Sequence, residues 1–348
     1  MWATRITVRV IALLLAMFAW PSQATEPALA LEDLYDTVNP SVVLVRTWER
    51  VVIARDGFAL VPITDQGSGV LISQDGDVLT AAHVVQVADL VQVDFADGTT
   101  INAKVVGSDP AADLAVLRLE RVPESAVIAK MGDSDAVRVG QQVFVIGAPY
   151  GLSHSMTVGR ISARHLPGTP GRPFNFAEFF QADVAIHRGN SGGPMFNMNG
   201  EVIGIVSYLI SQSGSFEGIG FAVTSKSIKE LLLEHRSPWS GISVFGLDRK
   251  LAAVLNLPQE SGLLVQRVAE GSPGARLGLV PSYLPAKIGK HEFMLGGDVI
   301  LEVDGIPVGT FESRLPLRQH LAEIEKGQTV TVKILRHGRV MELSTILD

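Results

Sequence analysis

The chain has 348 residues, 47% of them hydrophobic, with 34 glycines, 18 prolines and a net charge of −7. An acidic chain with no basic block lacks the phosphate-neutralising surface of a nucleic-acid binder. With no cysteine, it has no disulfide, no thiolate metal site and no cysteine nucleophile.

At about 100–200 residues per domain, this length holds more than one domain. Residues 1–24 read as a secretory signal: Arg5 and Arg9, an apolar run at 10–20, then Ser22-Gln23-Ala24 as a cleavage site. A second cut fits after Ala30. The stretch 6–20 is nearly apolar but short of the about 20 residues a span needs, so an uncleaved membrane anchor is the alternative. Either way the bulk of the protein lies outside the cytoplasm. In the segment 25–40, Leu31, Leu34, Tyr35 and Val38 mark a short amphipathic helix.

From residue 41 the pattern becomes strands, at 42–47, 69–73, 78–83, 90–95, 101–106 and 114–119. Asp75-Gly76 and Asp97-Gly98 mark hairpin turns. A second set follows at 142–147, 157–163, 179–184, 202–208 and 220–223. Many short strands without alternating helices indicate an all-β barrel or sandwich, its halves meeting near residue 125. A helix is expected over 225–235, with Ser227 and Glu230 at capping-box spacing and Thr224 or Ser225 as rival caps. Ser237-Pro238 ends it. The remainder, to 348, mixes strands with helices expected at 249–255, 273–279 and 315–325.

The chemistry concentrates in Gly189-Asn190-Ser191-Gly192-Gly193-Pro194. Glycine allows backbone conformations that a Cβ forbids. A tight loop there can aim backbone N–H groups at one point beside Ser191, as an oxyanion hole requires. A serine hydroxyl needs a base to take its proton and a carboxylate to orient that base. Among the eight histidines, His83 follows a strand and sits among small residues, Thr80-Ala81-Ala82. Asp113 immediately precedes the apolar strand beginning Leu114-Ala115, where a carboxylate needs a partner. Asp109 is its local competitor, although Asp109-Pro110 reads as turn initiation.

These three stretches, in the order His, Asp, Ser, resemble the trypsin-like serine proteases. More narrowly they resemble the HtrA/Deg family, which adds C-terminal PDZ domains. Gly67-Ser68-Gly69-Val70, Gly132-Asp133-Ser134, Val145-Ile146-Gly147-Ala148-Pro149-Tyr150-Gly151 and Gly218-Ile219-Gly220-Phe221-Ala222 carry the same resemblance. It implies a mainly β fold: a trypsin-like double six-stranded β-barrel over 41–236, then an α+β PDZ domain over 237–348. It implies His83 as general base, Asp113 as orienting carboxylate and Ser191 as nucleophile. The backbone N–H groups of Gly189 and Ser191, with Asn190 beside them, would form the oxyanion hole. Ala185, six before the nucleophile, would floor the S1 pocket, with Ile205 and Ile219 in its walls. An uncharged floor implies cleavage after small or medium aliphatic residues.

Trp239-Ser240-Gly241-Ile242 resembles the carboxylate-binding loop of HtrA-type PDZ domains, which hold C-terminal peptides. The stretch 280–296 is longer than the family pattern and reads as an exposed surface-loop insertion. Glu49 to Gln66 is short where the family carries a long regulatory loop, and His187-Arg188 replaces the Asn-Pro common before the serine motif. The resemblance implies an ATP-independent serine endopeptidase of envelope quality control that takes unfolded polypeptides and needs no cofactor and no metal. It also implies a homotrimer built partly through the segment near Leu31 to Val38, and a periplasmic location. The alternatives are a membrane-anchored regulatory protease cutting one substrate and a chaperone-like holdase.

Overall fold

A computed structural model describes residues 30–54, 58–168, 176–209, 218–235, 237–289, 291–310, 312–325 and 327–347. The expected signal at 1–24 lies outside these residues.

The first barrel is built from β1 (Val42–Ala54), β2 (Phe58–Leu71), β3 (Asp77–Thr80), β4 (Leu90–Asp94), β5 (Thr100–Asp109) and β6 (Leu114–Leu119). It closes in the order β1-β2-β3-β6-β5-β4. Its turns are the expected Asp-Gly pairs, with Gly76 and Gly98 both at φ 84°. Its interior is filled by Val43, Val45, Leu71, Val93, Leu117 and their neighbours. Within Glu49 to Gln66, the described residues 49–54 and 58–66 continue the β1–β2 pairing in unbroken antiparallel register from Val42↔Val70 to Ala54↔Phe58.

The second barrel follows a short β7 (Lys130–Met131). It comprises β8 (Gln142–Gly147), β9 (Ser155–His165), β10 (Phe179–Ala182), β11 (Pro194–Asn197), β12 (Glu201–Leu209) and β13 (Gly220–Thr224). The order β11-β8-β9-β10-β13-β12 is closed by pairing of β11 with β12, and β7 adds in parallel to β12. Val143, Val145, Phe180, Ile203 and Val206 fill this interior. A third cluster joins the barrels, with Val70, Leu79 and Leu114 from the first meeting Phe144, Phe196 and Phe221 from the second. The Leu31–Val38 helix buries Leu34 and Val38 against the same cluster. The Tyr35 hydroxyl donates to the His154 carbonyl at 2.7 Å.

Thr224 caps the Ser225–Ile228 helix through its hydroxyl, which accepts from Ser227 N. Beyond it lies the C-terminal sheet, in the order β14 (Ile242–Leu247), β15 (Gly262–Val268), β18 (Val299–Val303), β20 (Thr329–Arg336), β21 (Arg339–Ile346). The expected helices appear at Arg249–Val254, Pro273–Arg276 and Arg314–Glu323. The stretch expected as a surface loop at 280–296 is instead a hairpin, β16 (Leu284–Ile288) with β17 (His291–Leu295). The small β19 (Ile306–Pro307) pairs with β18. The hairpin is held because Phe293 stacks on Phe245 at 4.5 Å and Gln266 exchanges hydrogen bonds with the Met294 backbone. The sequence showed its length but not this stacking within the PDZ domain.

Candidate active site

The two barrels bring His83, Asp113 and Ser191 together. Strand β3 ends at Thr80, and the buried Ala81 and Ala82 lead into the one-turn Ala82–Val85 helix that carries His83. His83 Nδ1 lies 2.9 Å from both Asp113 carboxylate oxygens, and the His83 backbone N–H also donates to Asp113 Oδ1 at 3.0 Å. An ionised carboxylate only accepts, so the proton sits on Nδ1 and Nε2 keeps a lone pair for the serine side. Burial opposes protonation of His83. The hydrogen bond and charge of Asp113, with Asp65 beyond it, outweigh that effect and hold the pKa above the ordinary histidine value.

Asp113 stands at φ 57°, a conformation uncommon outside glycine, at the head of β6. The buried Ser207 hydroxyl donates to Asp113 Oδ2, while the Ser207 carbonyl accepts the Ser191 hydroxyl at 3.2 Å. Ser207 thus touches two members of the triad. Its one signal in the sequence was its place in the strand at 202–208, where any polar residue facing the cleft would have qualified. Among the described residues no hydrogen bond joins Ser191 Oγ to His83. Such bonds are often loose before substrate arrives.

The serine loop is stitched to the rest of the fold by Ser68, a second residue given no role from the sequence. Ser68 N donates to Ser191 O at 2.8 Å, and Ser68 Oγ donates to Gly189 O at 2.7 Å while accepting from Ala148 N. Tyr150 N donates to Arg188 O at 2.9 Å. Both carbonyls flanking the Gly189 N–H are therefore held on the body of the protein. A trans peptide places its N–H opposite its carbonyl, so the Gly189 N–H points away from Tyr150. Among the described residues, neither the Gly189 N–H nor the Ser191 N–H has a protein acceptor. Gly189 takes φ 105°, and a Cβ there would lie 2.1 Å from Ala148 O, so the close approach requires glycine. Asn190 is 1% exposed beneath the loop.

Of the predicted S1 residues, Ala185 is half-buried, and its carbonyl accepts from Thr157 Oγ1 at 3.1 Å and Asn190 Nδ2 at 3.4 Å. Ile219 is half-buried against the inter-barrel cluster. Ile205 does not line a pocket: it is fully buried in the inter-barrel cluster with Phe144 and Phe196. Side chains alternate along a strand, which puts Val206, not Ile205, on the side of Ile186 and Ala182. No cluster of His, Asp and Glu able to hold a metal occurs among the described residues.

Trp239-Ser240-Gly241-Ile242 packs on the helix bearing His83. Trp239 Nε1 donates to Gln86 O at 2.9 Å, and Gln86 Nε2 donates to Ser240 Oγ at 3.2 Å and Ile242 O at 3.0 Å. Strand β14, which begins in this loop, is the edge of its sheet.

Family comparison agrees with the two-barrel and PDZ fold. Residues 67–205 match the trypsin-like peptidase domain, and residues 222–347 match the PDZ domain. The solved HtrA-type protease AlgW with tripeptide is 30% identical with a TM-score of 0.52, over 91% of this chain and 96% of that one. This chain belongs to the HtrA/Deg family of proteases. AlgW with decapeptide is 29% identical, also with a TM-score of 0.52, over 91% and 98% of the two chains. A probable periplasmic serine endoprotease DegP-like of Marinomonas sp. (strain MWYL1) is 36% identical over 290 residues, covering 81% of this chain and 56% of the relative. The corresponding Pseudomonas putida (strain GB-1) protein is 38% identical over 287 residues, covering 80% and 54%. The chain thus spans about half the length of the curated relatives it matches. Among the described residues no helix is long and apolar enough to cross a membrane.

Proposed function

We propose that this HtrA-family chain is an ATP-independent serine endopeptidase of the periplasm that cleaves unfolded polypeptides. The observation that carries this reading is the His83–Asp113 pair, locked by two contacts at 2.9 Å and set beside Ser191 through Ser207. Rotation of the Ser191 hydroxyl from the Ser207 carbonyl toward His83 Nε2 makes it the nucleophile. His83 takes the serine proton as the acyl bond forms, then gives it to the leaving amine. Asp113 orients the ring and stabilises the imidazolium. The free Gly189 and Ser191 N–H groups receive the developing oxyanion. Water, deprotonated by His83, then releases the acyl group.

An S1 site floored by Ala185 with Ile219 in its wall, both half-buried, carries no charge and favours small or medium aliphatic residues. Peptide profiling with a strong Lys or Arg preference at P1 would contradict it. In the PDZ domain the open edge of β14 accepts a peptide as an added strand, its C-terminal carboxylate meeting the loop 239–242. The periplasmic names of the relatives and the leader-like residues 1–24 support export. Leu34 and Val38 are buried against their own barrel with Leu31 and Tyr35 partly packed beside them, so the part of this helix still exposed is what would contact other copies in a homotrimer.

The test is casein degradation together with fluorophosphonate labelling. Wild type should do both, and Ser191→Ala should lose both, with on the order of 10⁶-fold less turnover. Degradation that survives Ser191→Ala sinks the proposal. A wild type that binds unfolded casein without cutting it would instead be a holdase.

A further inference from the structure

A buried carboxylate outside the triad is neutralised from the other domain. Asp109 is 3% exposed, and its Oδ1 accepts the backbone N–H groups of Ala111 at 3.1 Å and Ala112 at 3.0 Å. Those bonds fold the turn 109–112, whose next residue is Asp113 in its uncommon positive-φ conformation. The opposite oxygen, Oδ2, faces Arg318 Nη2 at 2.7 Å across the domain boundary, and the Arg318 side chain is only 18% exposed. Arg318 lies on the Arg314–Glu323 helix of the PDZ domain. The same stretch is clamped a second time, since Ser108 N donates to Ser237 O at 3.1 Å and Ser108 Oγ to Gln86 Oε1 at 2.7 Å.

We propose that Arg318 of the PDZ domain is a positioning residue for catalysis, its guanidinium being the counter-charge that holds the Asp109 turn, and with it Asp113, in register with His83. A buried charge that loses its one partner is strongly disfavoured. Burial already pushes the Asp109 carboxyl above its usual range, against Arg318 and the two turn N–H groups. Without Arg318 the carboxylate takes a proton or swings to solvent, and the two N–H bonds that shape the turn weaken. Asp113 cannot relax harmlessly, because both its oxygens are committed to His83 and Ser207. A displacement of about 1 Å there is worth up to about a hundredfold in rate. The inference rests on the proposed triad.

The experiment uses the full chain and a chromogenic peptide of a few residues with an aliphatic P1. Arg318→Met keeps the stem and removes the charge. It should lower kcat roughly 10- to 100-fold with KM within about twofold, while circular dichroism and thermal melting show a folded protein at assay temperature. Arg318→Lys should retain most of the rate. Asp109→Asn with Arg318→Met should recover part of it, because no buried charge is then left unpaired. Wild-type kcat in Arg318→Met, a loss that follows the unfolded fraction, or a double variant as impaired as the two losses combined would each overturn the inference. Ser191→Ala separates the layers. If it stays active the triad reading itself fails, whereas inactive Ser191→Ala beside a wild-type Arg318→Met removes only the role of Arg318.

Discussion

At the scale of single residues, His83 sets the pH behaviour. It must be neutral to take the serine proton, and its pKa is raised by Asp113, so activity is lost as pH falls through that raised value. The acid limb of kcat/KM should therefore lie above the ordinary histidine value of about 6.5. Asp113→Asn removes the main raising influence. The limb should move down while kcat falls about 10⁴-fold, as expected when the ring loses its orienting carboxylate. An acid limb unchanged in Asp113→Asn would disconnect the titration from this pair. Ser207→Ala deletes one donor to Asp113 and leaves the Ser207 carbonyl in place. A charge-assisted hydrogen bond of about 1.5–3 kcal/mol is lost, and about a tenfold or larger drop in kcat should follow, with Ser191 labelling slowed but not abolished. His83, Asp113 and Ser191 were legible in the sequence because acyl transfer dictates their types and their flanks are specific. Ser207 and Ser68 were not, because a serine in a strand carries no local signal. What they do depends on which carboxylate or carbonyl the fold brings within reach.

At the scale of elements, the serine loop works through backbone. Gly189 is held between Ala148 and Tyr150 with both adjacent carbonyls engaged, so its N–H is presented by the loop and not by any side chain. Gly189→Ala places a Cβ against Ala148 O and forces the positive φ on a residue that resists it. The loop must then shift, and the loss of one oxyanion donor predicts a kcat about 10²–10³ lower with the melting temperature little changed. Single-turnover acylation measures this directly, and a wild-type acylation rate would exclude Gly189 N–H from the hole. The strands were readable from alternation and from the Asp-Gly turns, and the helices from their spacing and caps. The misplacement of Ile205 has a plain cause: a strand in a double barrel has two buried faces, one toward its own interior and one toward the neighbouring barrel. Both are apolar, so alternation alone does not say which side lines the cleft. The hairpin at 284–295 escaped for a similar reason, since its anchor is Phe245, some forty residues earlier in the chain.

At the scale of the molecule, the protease and PDZ domains share a polar interface. Arg267 pairs with Glu49, Arg50 with both Asp89 and Glu270, and the Glu270 N–H donates to Asp89 at 2.6 Å. Trp239 adds its indole N–H to the Gln86 carbonyl. Arg50 and Glu270 are largely exposed and contribute little, being screened by salt. The Trp239 bond is sheltered, and Trp239→Phe should lower stability by about 1 kcal/mol in urea titration with the sheet intact. A variant as stable as wild type would show that the indole N–H finds an equal partner elsewhere. Apart from Arg50 with Asp89, which lies within the protease domain, these links join residues more than 150 positions apart, so no local pattern announces them.

The pair between Asp109 and Arg318 bears on how such chains are recombined. A PDZ domain is commonly treated as an interchangeable reader fused to a self-sufficient enzyme. Here the seam between reader and enzyme passes through a salt bridge beneath the catalytic turn. A donor domain grafted after Ser237 would bring a new peptide preference, but without a cation where Arg318 stands it would also leave Asp109 unanswered. Cutting the chain at that seam should not yield a free protease either. Exchange of the reader is therefore coupled to the enzyme's own competence, and a chimera is expected to work when its donor supplies that one positive charge.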